Sequence, residues 1–401
     1  MSNEFDKFAP YFRMNIMAAF ISRTLEQVIS ARLTGEPRKI VLLYGQRQVG
    51  KTTLAKHILE KMAGKNVLQV NADFDPHAEV FSSRDPEKLR LFVSGYDFLF
   101  IDEAQRIPDI GINLKILHDN FPSLRILVTG SSTLDLANRI HEPLTGRTWT
   151  FRLHPFSAGE LVARSSTLDY YSRLEEWLTF GAYPGVLELG NRGDKASFLH
   201  ELTHAYLYKD ILELSGIRQS GKLRDLLRLL AFQIGSEVSF NELGRQLGLD
   251  IATVQRYVDL LEQAFVLKTV GGYSRNLRKE ISKKQKIYFQ DLGVRNALIE
   301  KFAPLHLRDD TGGLWENFLF MERSKLLDNT QRRANQFFWR LQTGAELDYV
   351  EEYEGNLAGF EFKFGNKVAK PPAAWQETYP RATFQTINRD NWLPFVLESD
   401  I

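Results

Sequence analysis

Short, continuous apolar runs punctuate the N-terminal part of the chain. Ile40 to Tyr44 (IVLLY), the FLFI of FLFIDEAQ (Phe98 to Gln105) and the start of LRILVTGSS (Leu124 to Ser132) are three of them. Runs of this length with no polar alternation predict buried parallel strands. A further strand is expected at TWTFRL. Between the first two runs, Leu54, Ile58, Leu59 and Met62 recur at helical spacing. From Ser157 to about Ser236 the pattern is helical, carried by Trp177, Phe180, Phe198, Leu202, Tyr206 and Leu223 to Leu230, with a Gly/Pro break at FGAYPGV.

Two short helices follow in Ser239 to Gln263. Ser239 and Glu242 form an S-x-x-E capping box, Leu243 and Leu247 share a face, and Gly248 ends the first helix. Asp250 caps the second, which buries Val254, Val258 and Leu261. Two helices joined by a glycine turn predict a helix-turn-helix, and FVLKTVGGYSRNLRKEISKKQKIYFQD predicts two strands flanking a wing. Near the C-terminus, a helix over Thr311 to Leu327 places Leu314, Phe318, Met321 and Leu326 inward. Strands follow at QFFWRL, at AELDYVEEY and at LAGFEFKF. Alternation puts Leu347 and Tyr349 on one face of the second, and Phe360, Phe362 and Phe364 opposite Glu361 and Lys363 on the third.

Composition limits this picture without changing it. At ~150 residues per domain, 401 residues imply two or three domains. A hydrophobic share of 43% and a charged share of 25% are those of an ordinary globular protein. A net charge of +1 excludes a globally basic nucleic-acid binder but not a local patch. The absence of cysteine excludes disulfides and thiolate metal sites. With no signal-peptide pattern at the start and no apolar run of ~18 residues, a cytoplasmic protein without a membrane span is expected.

The candidate chemistry begins directly after the first strand. GQRQVGKTT, Gly45 to Thr53, fits G-x-x-x-x-G-K-[ST] at every fixed position and has its strand before and helix after. Gly45, Gln46, Arg47, Gln48, Val49, Gly50, Lys51, Thr52 and Thr53 are therefore the expected phosphate cradle. Backbone N–H groups and the helix N-terminus face the phosphates, Lys51 reaches the β- and γ-phosphates, and Thr52 ligates Mg²⁺. In such a site Asp102 would hold the metal through water, and Glu103 would orient the attacking water. An acidic pair after a strand also serves as a helix cap. Thr129, Ser131 and Ser132 end the third run, where they would sense the γ-phosphate or cap the next helix. Arg147, ahead of Arg139, is the candidate for stabilising transition-state charge on its own or a neighbouring subunit.

GQRQVGKTT, FLFIDEAQ, ILVTGSS and LTGRTWTFRLHPFSAGE together resemble a bacterial and archaeal family of predicted AAA+ ATPases. The resemblance extends over nearly the whole chain. It implies ATP rather than GTP as the nucleotide, a helical lid that includes YLYKDILELSGIR, and a C-terminal domain of unknown function.

Arg275, Arg278, Lys279, Lys283, Lys284 and Lys286 face a single acid, Glu280, in the expected wing. Thr253, Gln255 and Arg256 lie outward on the second helix, where base-reading residues sit in DNA-bound examples. A packing or subunit-contact role for this module is the alternative. The C-terminal order of helix, strand, strand with Asp, strand with Glu-x-Lys resembles the restriction-endonuclease-like nucleases. That resemblance implies Glu316, Asp348 and Glu361 as metal ligands and Lys363 as the group that stabilises the attacking hydroxide. The usual Pro before the acid is absent, and Glu346, Glu351, Glu352 and Glu354 are expected to be solvated.

The expected fold class is thus α/β: a P-loop NTPase parallel sheet with a helical lid, then a winged helix-turn-helix, then an α/β restriction-endonuclease-like domain. The boundaries are 1–156, 157–236, 237–304 and 305–401. The expected activity is Mg²⁺-dependent ATP hydrolysis coupled to DNA. The alternatives are a nucleotide-dependent switch or scaffold with a degenerate nuclease fold, and a transcription regulator. Self-association, through an arginine acting across subunits, is a further expectation.

Overall fold

The computed structural model describes residues 20–73, 76–130, 144–204, 220–274 and 285–398. Ile40–Gly45 (β1), Val67–Asn71 (β2), Phe98–Asp102 (β3), Arg125–Gly130 (β4) and Thr148–Leu153 (β5) form one parallel sheet in the order β2-β3-β4-β1-β5. β1 lies between β4 and β5 and is buried along its length, the physical reason for its uninterrupted apolar sequence. Val41 and Leu43 pack with Leu25–Thr34 (α1) and Lys51–Glu60 (α2). Ile40, Leu42 and Tyr44 pack with Pro86–Val93 (α3) and Ile110–Asn120 (α4) on the other face. The sequence does not predict β2, because as an edge strand it buries only Val70 and shows no apolar run.

Short helices follow: Ala158–Arg164 (α5), Thr167–Ser172 (α6), Leu174–Phe180 (α7), Pro184–Leu187 (α8), Arg192–Leu202 (α9) and Ser220–Phe232 (α10). Glu237–Val238 (β6), Phe240–Leu247 (α11), Ile251–Gln263 (α12), Leu267–Val270 (β7) and Gln285–Phe289 (β8) then form the two-helix unit and an antiparallel sheet, β6-β8-β7. Its helix ends lie where the sequence implies, with one half of the expected capping box formed. Ser239 Oγ accepts the Glu242 amide at 3.4 Å, Gly248 ends α11 at φ +63°, and Asp250 accepts the Thr253 amide at 2.8 Å. Leu243, Leu247, Val254 and Leu261 share a core with α2 and β1, so this unit packs onto the parallel-sheet domain.

After Leu292–Leu298 (α13) comes Thr311–Asn329 (α14), then Asn335–Arg340 (β9), Glu346–Tyr353 (β10), Asn356–Phe362 (β11), Ala373–Thr378 (α15), Thr383–Ile387 (β12) and Trp392–Leu397 (α16). The sheet order is β12-β11-β10-β9, with only β11 and β12 parallel. Three expectations need correction here. α14 does not carry a single apolar stripe. Glu316, Glu322, Arg323 and Lys325 are buried as well, because the helix lies between α5–α7, β8 and the C-terminal sheet. Its charges are matched, as with Lys325 Nζ to Glu322 Oε1 at 2.7 Å. In β10, a register shift between Leu347 and Val350 breaks the alternation. Leu347 and Val350 join one core and Tyr349 the other. Finally, Glu351 is not solvated but buried against Arg323.

His154, just after β5, ties the two halves together. Its Nε2 lies 2.7 Å from Asp328 Oδ2 near the end of α14. Burial, with Arg152 adding to it, pushes His154 down to about 4 from an ordinary 6.5. The folded state therefore holds the ring neutral. Stability is complete above pH 6.5 and is lost as pH falls from there through 4. Denaturant unfolding between pH 7.5 and 4 should register this loss, and His154→Gln should flatten that part of the profile.

Candidate functional site

The phosphate loop starts where β1 meets β5. A Cβ on Gly45 would lie 2.3 Å from the Leu153 carbonyl oxygen, so only glycine lets the chain turn there. Gln48 and Gly50 take left-handed backbone, φ +59° and +93°, and α2 begins at Lys51. This leaves Thr52 and Thr53 in the first helical turn. Val49 anchors the loop in the core, Arg47 is half-buried, and Gln48 and Thr53 are exposed. The buried Lys51 ammonium donates to the carbonyls of Gly45 at 3.0 Å and Gln46 at 2.8 Å.

One carboxylate gathers the rest. Asp102, at the end of β3, accepts the Thr52 hydroxyl from α2 at 2.9 Å, the Thr129 hydroxyl from β4, and the Asn71 amide from β2 at 3.2 Å. Asn71 is the member that sequence reasoning missed, because the strand carrying it was missed. Glu103 is half-buried with φ +54°, an uncommon conformation for a non-glycine residue. Its N–H faces Thr129 Oγ1 at 3.4 Å and its carboxylate accepts the Gln105 amide. Thr52 and Asp102 supply adjacent hard oxygen donors, so the pair fits Mg²⁺.

Gln46 behaves differently from its neighbours. Its side chain is buried, and its amide donates at 2.6 Å to the carbonyl of Phe265, which follows α12 and has φ +58°. The loop is thereby joined to the two-helix unit. Arg147 also departs from expectation. It precedes β5 at the amino-terminal edge of the sheet, where its carbonyl accepts the Ile40 amide, whereas the phosphate loop leaves the opposite edge. Its guanidinium is engaged by both oxygens of Asp119 at 2.9 and 3.1 Å. The Arg147 hydrogen bonds hold the Asp119 carboxyl down at about 2. Within its own chain, Arg147 does not reach the phosphate loop. Arg139, Ser131, Ser132 and the wing residues 275–284 lie outside the described residues.

The four C-terminal candidates do come together. Asp348 lies one step along the register from the Tyr349–Phe360 pair, opposite Glu361, and its Oδ2 accepts the Phe362 amide at 2.7 Å. Lys363 Nζ donates to Glu361 Oε1 at 2.6 Å. Glu316 projects from α14, and burial pushes its carboxyl up to about 7, with Asp348 adding to the rise and Lys286 opposing it. Burial and Asp348 also raise the Glu361 carboxyl.

The wing reading of Lys286 does not hold. It is buried in β8, with its ammonium 2.7 Å from Glu316 Oε1 and 3.8 Å from Asp348 Oδ1. The Tyr288 hydroxyl donates to the same Glu316 oxygen at 2.7 Å. Among the described residues, no group of three or more His, Asp or Glu side chains is arranged to hold a metal ion. The Lys286 ammonium thus faces both Glu316 and Asp348. No helix among the described residues is long and apolar enough to cross a membrane.

Comparison with known proteins divides the chain in three. A family described as an AAA domain matches residues 37–162, and two domains of unknown function, DUF8612 and DUF4143, match 171–305 and 311–382. The uncharacterized protein Rv2008c of Mycobacterium tuberculosis is 32% identical, covering 81% of this chain and 70% of its own length. The uncharacterized protein MJ1544 of Methanocaldococcus jannaschii is 23% identical over 77% of this chain and 71% of its own. A Thermotoga maritima RuvB mutant structure covers 62% of this chain and 90% of its own, with 20% identity and a TM-score of 0.33, a poor overall superposition.

Proposed function

Because the chain belongs to the family of AAA-domain proteins shared with its mycobacterial relative, we propose that it binds ATP with Mg²⁺ and hydrolyses it. The observation that carries this reading is the convergence of Thr52, Asn71 and Thr129 on Asp102 directly behind the phosphate loop. In this reading the loop amides and Lys51 bind the phosphates, and Thr52 and Asp102 hold Mg²⁺, which neutralises phosphate charge. Glu103 orients the attacking water, and Thr129 senses the γ-phosphate. Residues 157–236 act as the lid, 237–304 as a winged helix, and 305–401 as a restriction-endonuclease-like domain.

Duplex DNA is the proposed partner of the winged helix, supported by the exposure of Gln255 and Arg256 on α12. A nucleotide-dependent switch with a protein partner is the second reading. It is favoured by the Gln46–Phe265 hydrogen bond, which links loop to winged helix, and by the loss of Lys286 from the basic surface. Both are tested by measuring ATP turnover and duplex binding in parallel over a salt series. Mg²⁺-dependent turnover is expected, with DNA affinity falling as salt rises by a slope of about −0.9 per phosphate contact. Turnover without salt-sensitive DNA binding would favour the switch, and no turnover at all would sink the ATPase.

A further inference from the structure

We propose that the Lys286 ammonium is the resident cation of the C-terminal acid cluster, and that the cluster is a latch fastening β8 to α14 and β10 rather than a metal site. Lys286 belongs to the three-stranded sheet, whereas Glu316 and Asp348 belong to the helix and sheet that follow it. The ion pair therefore bridges two units that the sequence presents as separate.

Three of the four oxygens of the two carboxylates face donors of the chain itself. Glu316 Oε1 takes Lys286 at 2.7 Å and Tyr288 at 2.7 Å. Asp348 Oδ1 faces Lys286 at 3.8 Å and Oδ2 takes the Phe362 amide at 2.7 Å. Glu316 Oε2 lies behind the turn that leads into β6. There a Cβ on Gly235 would sit 3.2 Å from it and 2.9 Å from Gly313 Cα. A hard divalent cation needs its oxygen ligands free at ~2.0–2.6 Å, and an ammonium already between them would repel it. Glu361 pairs with Lys363 through Oε1, while its Oε2 is buried without a hydrogen-bond partner. A phosphodiester also needs open access, whereas Lys286, Glu316 and Asp348 are all buried. The inference rests on the nuclease-like reading only in that this reading expects a metal here.

The test uses the full chain without nucleotide: Mn²⁺ binding followed by electron paramagnetic resonance, together with thermal melting in and out of Mn²⁺. Wild type should bind Mn²⁺ no better than Asp348→Asn. Lys286→Ala should melt lower than wild type and gain a Mn²⁺ site about tenfold tighter or more, which a second Asp348→Asn change removes. Its melting point should then rise with Mn²⁺ more than that of wild type. Lys286→Arg, which keeps the cation, should gain no such site. A wild-type Mn²⁺ site that Asp348→Asn abolishes would overturn the latch and leave the nuclease-like reading standing. Lys286→Ala that gains no Mn²⁺ site would overturn the latch as a cation substitute. If Lys286→Ala does not fold, the comparison of wild type with Asp348→Asn decides alone.

Discussion

Lys51→Ala is expected to abolish ATP hydrolysis and to weaken nucleotide binding, while the chain remains folded. The ammonium is buried with two loop carbonyls as partners, an arrangement that nucleotide binding would exchange for phosphate oxygens. A hydrogen bond to a charged group contributes about 1.5–3 kcal/mol, so its loss should raise the nucleotide Kd about ten- to a hundredfold. The backbone of the loop does not depend on this side chain, because Gly45, Gly50 and Val49 set its course. Glu103→Gln supplies the contrast. It should keep binding and slow turnover by about 10²–10⁴, the scale of general-base assistance. Phosphate release and a fluorescent-nucleotide titration separate the two variants. Unchanged hydrolysis in Lys51→Ala would remove the phosphate loop from the mechanism.

These residues were legible because their signal is local. β1, β3 and β4 are buried on both faces, so the apolar run is the strand. The loop motif and the Ser239, Gly248 and Asp250 caps each lie within a few residues of the backbone groups they serve. The failures are long-range. β2 shows one buried side chain, so its sequence does not mark Asn71, which bonds Asp102 across the sheet. Arg147 is close in sequence to β5 but at its far edge, a matter of strand direction rather than spacing. Lys286 reads as one more lysine in a basic run, and only the fold turns it inward onto Glu316. In β10 a single register shift was enough to invert the assignment of faces. Glu316, Asp348, Glu361 and Lys363 were found together from their order along the chain. The Lys286 ammonium that faces the first two comes from another unit, so their order along the chain does not reveal it.

The largest stability effect is expected at Arg323. Its guanidinium lies fully buried on α14, engaging Glu351 of β10 through two bonds of 2.8 and 2.9 Å. It also donates to the Phe395 carbonyl at 3.2 Å and to the Glu398 carbonyl, which fastens α16 and the chain beyond it to the same helix. Arg323→Met removes the cation and leaves Glu351 charged in an apolar setting, with the Tyr349 hydroxyl still donating to it at 2.7 Å. Stranding one member of a buried pair costs about 3–5 kcal/mol. Replacing both members with apolar groups costs much less, because neither charge is then left desolvated and alone. The double variant Arg323→Met/Glu351→Leu should therefore recover most of the loss seen in either single variant. Denaturant unfolding of the four proteins measures the coupling directly. A double variant as unstable as the sum of the singles would mean that the two side chains act independently. Glu351 would then be satisfied by Tyr349 alone, and α14 would be held to the sheet by its apolar contacts rather than by this pair.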